Sequence, residues 1–158
     1  YVETLAPSIK EGVEKLDFEP DLVITSYHGM PKSYLEKGDP YHCHCHKTTR
    51  LVREKLGWPK EKIMLTFQSR FGPTEWLQPY TDETLKALPG KGIKKVAILA
   101  PAFSADCIET LEEIAIGGEE EFMHAGGERY AYIPCLNDTP DGMAMIEAVV
   151  RRELSGWL

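Results

Sequence analysis

Four short apolar runs, separated by stretches with helical spacing, constrain the fold of this chain most strongly. The runs cover residues 22–27, 63–69, 96–103 and 130–136. Their length is typical of buried strands, and the stretches between them are long enough for crossover helices. Strands that alternate with helices form a parallel sheet covered on both faces. The sequence therefore predicts an α/β fold, with a doubly wound, four-stranded parallel sheet flanked by helices.

Helices are expected before, between and after these strands. One of them begins at Asp39 and ends before Gly57, which are typical helix-start and helix-stop residues. Another is expected to place Ile108, Leu111 and Ala115 on one face. The predicted helices cover residues 2–16, 39–56, 74–88, 106–126 and 143–154, whereas 29–38 is expected to be a loop.

Length and composition indicate a single α/β domain over residues 1–158. The chain is 42% hydrophobic and 27% charged, which is ordinary for a domain with one core of its own. Its longest uncharged apolar stretch, 96–105, is about half the length of a bilayer crossing and is interrupted by Pro101. Because the sequence shows no signal peptide, we expect a cytoplasmic protein. The chain begins at Tyr1 within a predicted helix, so we also expect it to be part of a longer protein.

The net charge of −7 is distributed unevenly. Fifteen of the 18 Lys and Arg residues lie at or before Lys95, whereas residues 96–128 contain eight acidic residues and no basic one. Such a block repels nucleic acid and attracts cations. No nucleic-acid partner is expected, and the block is either a cation-attracting surface or an ordinary solvated helix face.

A run of alternating histidine and cysteine is the most unusual local feature. It consists of His42, Cys43, His44, Cys45 and His46. With only four cysteines in the chain, a disulfide framework is not expected, and the thiols should be reduced. On a helix, His42 and His46 share a face while Cys43 and Cys45 point apart. The run predicts either a two-histidine transition-metal site or a polar helix face.

The loops after the first and third strands carry the residues most suited to chemistry, since functional groups gather beyond the carboxyl ends of parallel strands. His28 follows the first strand, where it either accepts a proton or binds a metal, or only hydrogen-bonds a loop carbonyl. Glu109 and Glu113 lie one helical turn apart after the third strand. They form either a cation or proton site or, with Asp106 as N-cap and Glu109 in a capping box, an ordinary helix start.

Aromatic and apolar side chains are frequent around the loops that follow the first two strands. They either line a cleft for a flat ligand or pack beneath these loops. The sequence contains no GxGxxG, P-loop or GxSxG pattern, so the usual signatures of nucleotide binding and of a nucleophile elbow are absent. The side chains concerned are Tyr27, Met30, Trp76, Leu77 and Tyr80.

Three blocks of the sequence, in order, resemble the ferrochelatase family. The first is SYHGMP at 26–31 with KGDPY at 37–41. The second is FQSRFGP at 67–73, followed by WLQPYTD at 76–82. The third is AFSADCIETLEE at 102–113, and the resemblance extends from about residue 22 to the end of the chain.

This resemblance implies an enzyme, a lyase that inserts Fe(II) into protoporphyrin IX or a closely related porphyrin and so forms haem. It implies iron as substrate, no organic cofactor and a two-lobed protein, of which this chain is the C-terminal half. The expected partners are the porphyrin, ferrous iron and an N-terminal lobe that supplies the other wall of the cleft. The fragment alone is expected to be inactive, and a peripheral contact with the inner face of the cell membrane is a further expectation.

The resemblance also implies roles for individual residues. His28 is expected to be a catalytic proton acceptor or metal ligand, and Glu109 the catalytic glutamate opposite it, also a metal ligand. Glu113 is expected to bind metal and, with Asp106, to conduct metal or protons. The substrate pocket is expected to contain Tyr27, Met30, Ser69, Trp76 and Cys107.

Two departures and two alternatives accompany the resemblance. Many members of the family have His where this chain has Cys107, whose thiol is either a soft ligand or a small buried group. The chain ends at Trp157 and Leu158 without the tail that carries cluster ligands in some members, so an iron–sulfur cluster is not expected. The alternatives are a nickel- or cobalt-inserting tetrapyrrole chelatase and a non-catalytic metal carrier that uses the His-Cys run and the acidic block.

Overall fold

A parallel sheet forms the centre of the domain. The computed structural model describes residues 1–157, and within that range four strands pair in the order β2-β1-β3-β4, all parallel. The strands are β1 (Leu22–His28), β2 (Ile63–Gln68), β3 (Lys95–Leu99) and β4 (Arg129–Tyr132). The predicted α/β fold with a four-stranded parallel sheet is confirmed.

Helices cover both faces of this sheet. They are α1 (Val2–Glu14), α2 (Lys32–Glu36), α3 (Tyr41–Leu56), α4 (Thr81–Ala87), α5 (Ile108–Thr110), α6 (Gly118–His124) and α7 (Pro140–Glu153), with a π-helical segment (Leu111–Gly117) that joins α5 to α6. Successive strand residues face opposite sides of the sheet. Val23 packs with α1 and α3, and its neighbour Ile24 packs with α4 and α6, so the sheet is doubly wound as predicted. None of the helices within residues 1–157 has the length and apolar character needed to cross a membrane.

The two middle strands explain the continuous apolar runs of the sequence. Val23, Ile24, Val96, Ala97 and Ile98 have no exposed surface at all. Because β1 and β3 are covered on both faces, residues 22–24 and 96–99 are apolar at consecutive instead of alternate positions. Burial of each Val or Ile side chain contributes about 1.5–3 kcal/mol, so these strands anchor the domain.

Proline determines where the third and fourth strands end. The predicted run 96–103 is strand only to Leu99, two residues before Pro101. The predicted run 130–136 is strand only to Tyr132, two residues before Pro134. Proline has no N–H to donate to a neighbouring strand, so the chain leaves the sheet before it.

The chain between β2 and α4 is a loop, although the sequence predicts helix over 74–88. Residues 69–80 instead fold back along β2, where the Phe67 N–H donates to the Pro79 carbonyl at 2.8 Å. Proline is disfavoured inside a helix, and this tertiary hydrogen bond stabilises the loop. The helical part of the prediction is therefore limited to α4.

A short helix, α2, forms within the segment 29–38 that the sequence predicts to be a loop. The Lys32 N–H donates to the Glu75 carbonyl at 2.9 Å, and the two side chains form an ion pair at 3.0 Å. These contacts come from the loop after β2. They are tertiary, so the local sequence does not show them.

The helix after β3 begins later than predicted. Cys107, and not Asp106, precedes its first residue, and the Cys107 N–H donates to the Thr110 hydroxyl at 2.9 Å. The prediction that Asp106 is the N-cap, with Glu109 in a capping box, is therefore wrong. The Asp106 carboxylate instead bonds to the chain that follows β4, as described below.

The apolar face of this helix also differs from the prediction. Ile108 and Leu111, expected to share a face with Ala115, are 71% and 48% exposed. Ile114 and Phe122 are buried instead. A π-helical segment has wider turns than an α-helix, so the 3.6-residue spacing used for the prediction does not apply to 111–117.

Candidate functional site

His28 ends β1 at the carboxyl edge of the sheet, next to Gln68 of β2. Its Nδ1 lies 2.7 Å from the carbonyl oxygen of Gly29. Because a carbonyl only accepts, Nδ1 carries the proton of the neutral ring, and Nε2 keeps a free lone pair. The Tyr41 hydroxyl donates to the His28 carbonyl at 2.8 Å and fixes the backbone there. The ring is therefore held as a tautomer able to accept a proton or bind a metal through Nε2.

Gln68 connects the ends of the strands to the acidic helix. Its side chain is only 3% exposed, and its Nε2 donates to the Glu109 carbonyl at 2.7 Å and to a Glu113 carboxylate oxygen at 3.3 Å. Its Oε1 accepts from the Ser26 hydroxyl at 2.9 Å. The sequence analysis missed this residue. The available signal was an amide side chain near the end of a predicted buried strand, since a buried polar group requires partners.

Glu109 lies in α5, and its backbone carbonyl accepts from Gln68, the residue that pairs with His28 across the sheet. A hydrogen bond from the Cys107 side chain and one from the Glu109 backbone hold the Glu109 pKa below its usual range, against an opposing effect of burial. Gln68 thus links the helix that carries Glu109 to the strand end at His28, and joint catalysis by the two side chains stays a prediction. Cys107, predicted to line the pocket, lies beside the Glu109 carboxylate.

Glu113 is bound by the loop that follows β2. Its carboxylate accepts from the Ser69 N–H at 2.6 Å, from the Ser69 hydroxyl at 2.5 Å and from Gln68. Ser69 has a φ of 61°, a left-handed conformation that is costly for a residue with a Cβ. The hydrogen bonds to Glu113 compensate for that cost. Gln68 thus contacts Glu109 through its backbone carbonyl and Glu113 through its carboxylate, and Ser69 contacts only Glu113.

Asp106 stabilises the loop after β4. Its carboxylate accepts from the Tyr132 hydroxyl at 2.6 Å, from the Asn137 amide at 2.7 Å and from the Cys135 N–H at 3.3 Å. Partial burial would raise its pKa, but these hydrogen bonds outweigh burial and lower it. The contacts indicate a positioning role, and conduction of metal or protons by Asp106 stays a prediction.

Trp76, Met30 and Gly29 form one side of the His28 loop. A Cβ at Gly29 would lie 2.7 Å from the Gln68 carbonyl oxygen and 3.0 Å from the Trp76 ring, so only glycine fits between them. The Leu77 N–H donates to the Met30 carbonyl at 2.9 Å, which holds this loop against the loop after β2.

Tyr27, in contrast, is a core residue. It is 4% exposed, and its hydroxyl hydrogen-bonds Thr49 at 3.0 Å in a cluster with Phe67 and Leu77. The prediction that it lines a substrate pocket is therefore not supported. Burial also raises its pKa well above the ordinary value for tyrosine.

Part of the acidic block lines a cavity of about 330 Å³ beside Gln68. Its acidic walls are Asp82, Glu112, Glu113 and Glu121, and Lys86 pairs with Glu121 at 2.9 Å. Arg70, which also lines the cavity, forms ion pairs with Asp82 and Glu83. The block is thus a mixture of cavity wall and ordinary ion-paired helix surface.

The predicted metal ligands do not form a closed metal site. Among residues 1–157, no three His, Cys, Asp or Glu side chains come together as a possible set of ligands. Glu113 in particular is already bound by Ser69. A cation held by His28 and Glu109 would need further ligands from another molecule or another part of the protein.

The His-Cys run lies on α3, directly after Tyr41, whose hydroxyl contacts the His28 carbonyl. His42 and His46 share a face, as predicted, with 3.2 Å between their Nε2 atoms. Cys43 is exposed and Cys45 is buried, so they do point apart, and all four cysteines are free thiols. Burial and the neighbouring His42 lower the pKa of His46.

The fold places the chain in a known structural class. It is similar to the crystal structure of a CbiX protein from Marinobacter aquaeolei VT8, with a TM-score of 0.56 and 16% identity. The match covers 86% of this chain and 98% of that one. At this identity the likeness concerns the fold alone.

The sequence places it in a family. A family model described as ferrochelatase matches residues 1–154, so the chain belongs to the ferrochelatase family. It is 63% identical over its whole length to a ferrochelatase of Allorhizobium ampelinum and 60% identical to one of Rhizobium meliloti. It covers 46% and 47% of these two proteins, and thus spans about half the length of the curated relatives it matches.

Proposed function

We propose that this chain is the C-terminal, metal-inserting lobe of a porphyrin ferrochelatase, a lyase that inserts Fe(II) into protoporphyrin IX or a closely related porphyrin. Family membership supports the reaction class. The observation that carries the site is the placement of His28, whose Nδ1 faces the Gly29 carbonyl and leaves Nε2 free, beside Gln68, which bonds to the Glu109 carbonyl. The same chemistry with nickel or cobalt stays an alternative.

Proton balance explains why an imidazole and a carboxylate suit this reaction. A porphyrin carries two pyrrole N–H protons, and both leave when a divalent cation binds its four nitrogens. His28 Nε2 accepts one proton in our proposal, since its Nδ1 proton is already donated to the Gly29 carbonyl. Glu109, whose pKa is lowered, stays charged and would stabilise the resulting imidazolium, while the second pyrrole proton passes to solvent water.

The incomplete ligand set suits a metal that is transferred and not retained. Imidazole and carboxylate are both ligands of Fe(II), and two protein ligands leave the remaining coordination positions open for porphyrin nitrogens. We treat the iron as substrate and propose no organic cofactor and no iron–sulfur cluster. Glu113 and the cavity beside it would supply cations, with Asp106 as a support of the same region.

Exposed apolar side chains at the carboxyl edge would contact the flat face of the porphyrin. Phe71 is 83% exposed on the loop after β2, and Ile108 is 71% exposed beside Glu109. With Trp76 and Met30 they supply apolar surface next to the proposed catalytic pair. Cys107 and Ser69 complete this wall.

The other wall would come from an N-terminal lobe, since the relatives are about twice as long as this chain. Separated from that lobe, residues 1–158 would be inactive. We further propose a cytoplasmic protein that contacts the inner face of the cell membrane peripherally and receives its apolar substrate there. No nucleic acid is involved.

Porphyrin metalation by the full-length protein tests the proposal. His28→Ala and Glu109→Gln should each lower kcat by about 10²–10⁴-fold, as expected when a general base is lost. His124→Ala, at an exposed position of α6, is the matched control and should retain activity. If His28→Ala is fully active while loss of His42 and His46 abolishes metal handling, the site assignment is wrong and a metal carrier is favoured. Activity of residues 1–158 alone would refute the need for a second lobe.

A further inference from the structure

We propose that His42 and His46 form a second, exchangeable cation site on the flank of the domain, which takes a borderline transition metal such as Ni²⁺, Zn²⁺ or Cu²⁺. This site does not depend on the proposed chelatase reaction. It rests on the relative position of the two imidazoles on α3 and on their access to solvent.

The distance between the two ring nitrogens fits one metal ion. The Nε2 atoms are 3.2 Å apart. A cation bonded to both at about 2.0–2.1 Å would make an N–metal–N angle of about 100°, between the octahedral and tetrahedral values. This separation is therefore compatible with one ion bound to both rings.

The pair is held in place before any metal binds. Both residues belong to the 16-residue helix α3, which fixes their i, i+4 spacing. The His42 ring stacks on the buried Phe67 ring, with centroids 5.8 Å apart and an angle of 20° between the planes. The centroids of the two imidazoles are 4.4 Å apart. Little side-chain entropy is lost on binding, which favours affinity.

The site is open to solvent and lacks a third protein ligand. His42 and His46 line a groove of about 800 Å³ beside the edge strand β2. Within residues 1–157, no other His, Cys, Asp or Glu side chain joins them as a ligand set. Water or a small anion completes the coordination sphere, and Lys47 and Arg50 on the rim favour an anion. Open coordination positions make the metal exchangeable, in contrast to a closed structural zinc site.

The ligand type determines which cation binds. Two imidazoles follow the general order of divalent affinities, which rises from Fe²⁺ through Ni²⁺ to Cu²⁺. Fe²⁺ should therefore bind this histidine pair more weakly than Ni²⁺ or Cu²⁺ does. The flank site would retain other divalent metals near, but outside, the site that contains His28.

Calorimetric titration of the full-length protein with Ni²⁺ tests this proposal. All samples carry His28→Ala, so that the candidate active site contributes less to the signal. His46→Ala should weaken Ni²⁺ binding by at least about tenfold, because one of two protein ligands is lost. His44→Ala, on the same helix but with its side chain on another face, should leave the affinity within about twofold, and so should Cys43→Ser.

Thermal unfolding supplies a second measurement. A metal that binds only the folded helix raises the melting temperature, so Ni²⁺ should stabilise the His44→Ala protein and not the His46→Ala protein. If His46→Ala binds Ni²⁺ as tightly as His44→Ala does, or if Cys43→Ser abolishes binding, the two-histidine site is refuted. Porphyrin metalation by the His46→Ala protein, measured without the His28 change, reports separately on the proposed reaction.

Discussion

Replacement of Gln68 by Glu tests the connection between the strands and the acidic helix. The two side chains have the same shape, so packing is retained and only the amide donor is lost. The Gln68 amide nitrogen lies 2.7 Å from the Glu109 carbonyl oxygen and 3.3 Å from a Glu113 carboxylate oxygen. At neutral pH the introduced carboxylate would face both oxygens without a proton to donate. Loss of the hydrogen bond to a charged group costs about 1.5–3 kcal/mol, and the unsatisfied buried acceptor costs about 1–3 kcal/mol more. We expect the free energy of unfolding to fall by about 3–5 kcal/mol.

The loss in the free energy of unfolding should depend on pH, and the pKa of the introduced carboxyl gives the direction of that dependence. Burial and the neighbouring Glu113 would raise the pKa of the introduced carboxyl above its unfolded value of about 4.3. Its stabilising protonated form, which donates again, is fully present below the unfolded pKa and is lost as the pH rises through the folded pKa. The difference from the unchanged protein should therefore shrink as the pH falls.

Urea unfolding at pH about 8 and about 5 measures this difference. Gln78→Glu adds the same charge at an exposed position and should change stability by less than about 0.5 kcal/mol. An equally small effect of Gln68→Glu at the higher pH, or a loss that grows towards acid pH, would refute the reasoning.

Three further predictions concern the surroundings of the site and the His-Cys run. Asp106→Asn should lower the free energy of unfolding by about 1 kcal/mol at neutral pH, after allowance for solvent screening. Because the pKa of Asp106 is lowered in the folded protein, this difference should disappear as the pH falls through that pKa. A difference that stays constant with pH in urea unfolding would contradict this. Gly29→Ala should destabilise the protein by about 1–3 kcal/mol, since the new Cβ meets the Trp76 ring at 3.0 Å, and an unchanged melting temperature would contradict this. Iodoacetamide should modify the exposed Cys43 before Cys45, whose pKa burial raises to about 11; equal rates by mass spectrometry would show that Cys45 is accessible.

The positions of the strands and of His28 follow from local sequence. The middle strands contain consecutive apolar residues, 22–24 and 96–99, because they are buried on both faces, and a histidine at the end of such a strand must lie at the carboxyl edge of the sheet. The shared face of His42 and His46 follows in the same way from the helical repeat. These features depend on residues that are close together in the chain.

The missed features depend on residues far apart in the chain. The Asp106 carboxylate bonds to Asn137, 31 positions later, and Gln68 bonds to Glu109, 41 positions later. No periodicity reveals such pairs. The exposed face of α5 also differs from the prediction, because the π-helical turns that follow it change which side chains are buried.

The number of residues in the π-helical segment Leu111–Gly117, and not only their identity, determines how this region packs. On its amino-terminal side Glu109 is tied to Gln68, and on its carboxyl-terminal side Phe122 is fixed in the core. Between two fixed points, a π-helical turn holds one residue more than an α-helical turn does. Removal of one residue from this segment would let a regular α-helix join the same two fixed points. A single deletion in this segment should therefore disturb the two anchors less than a single insertion would.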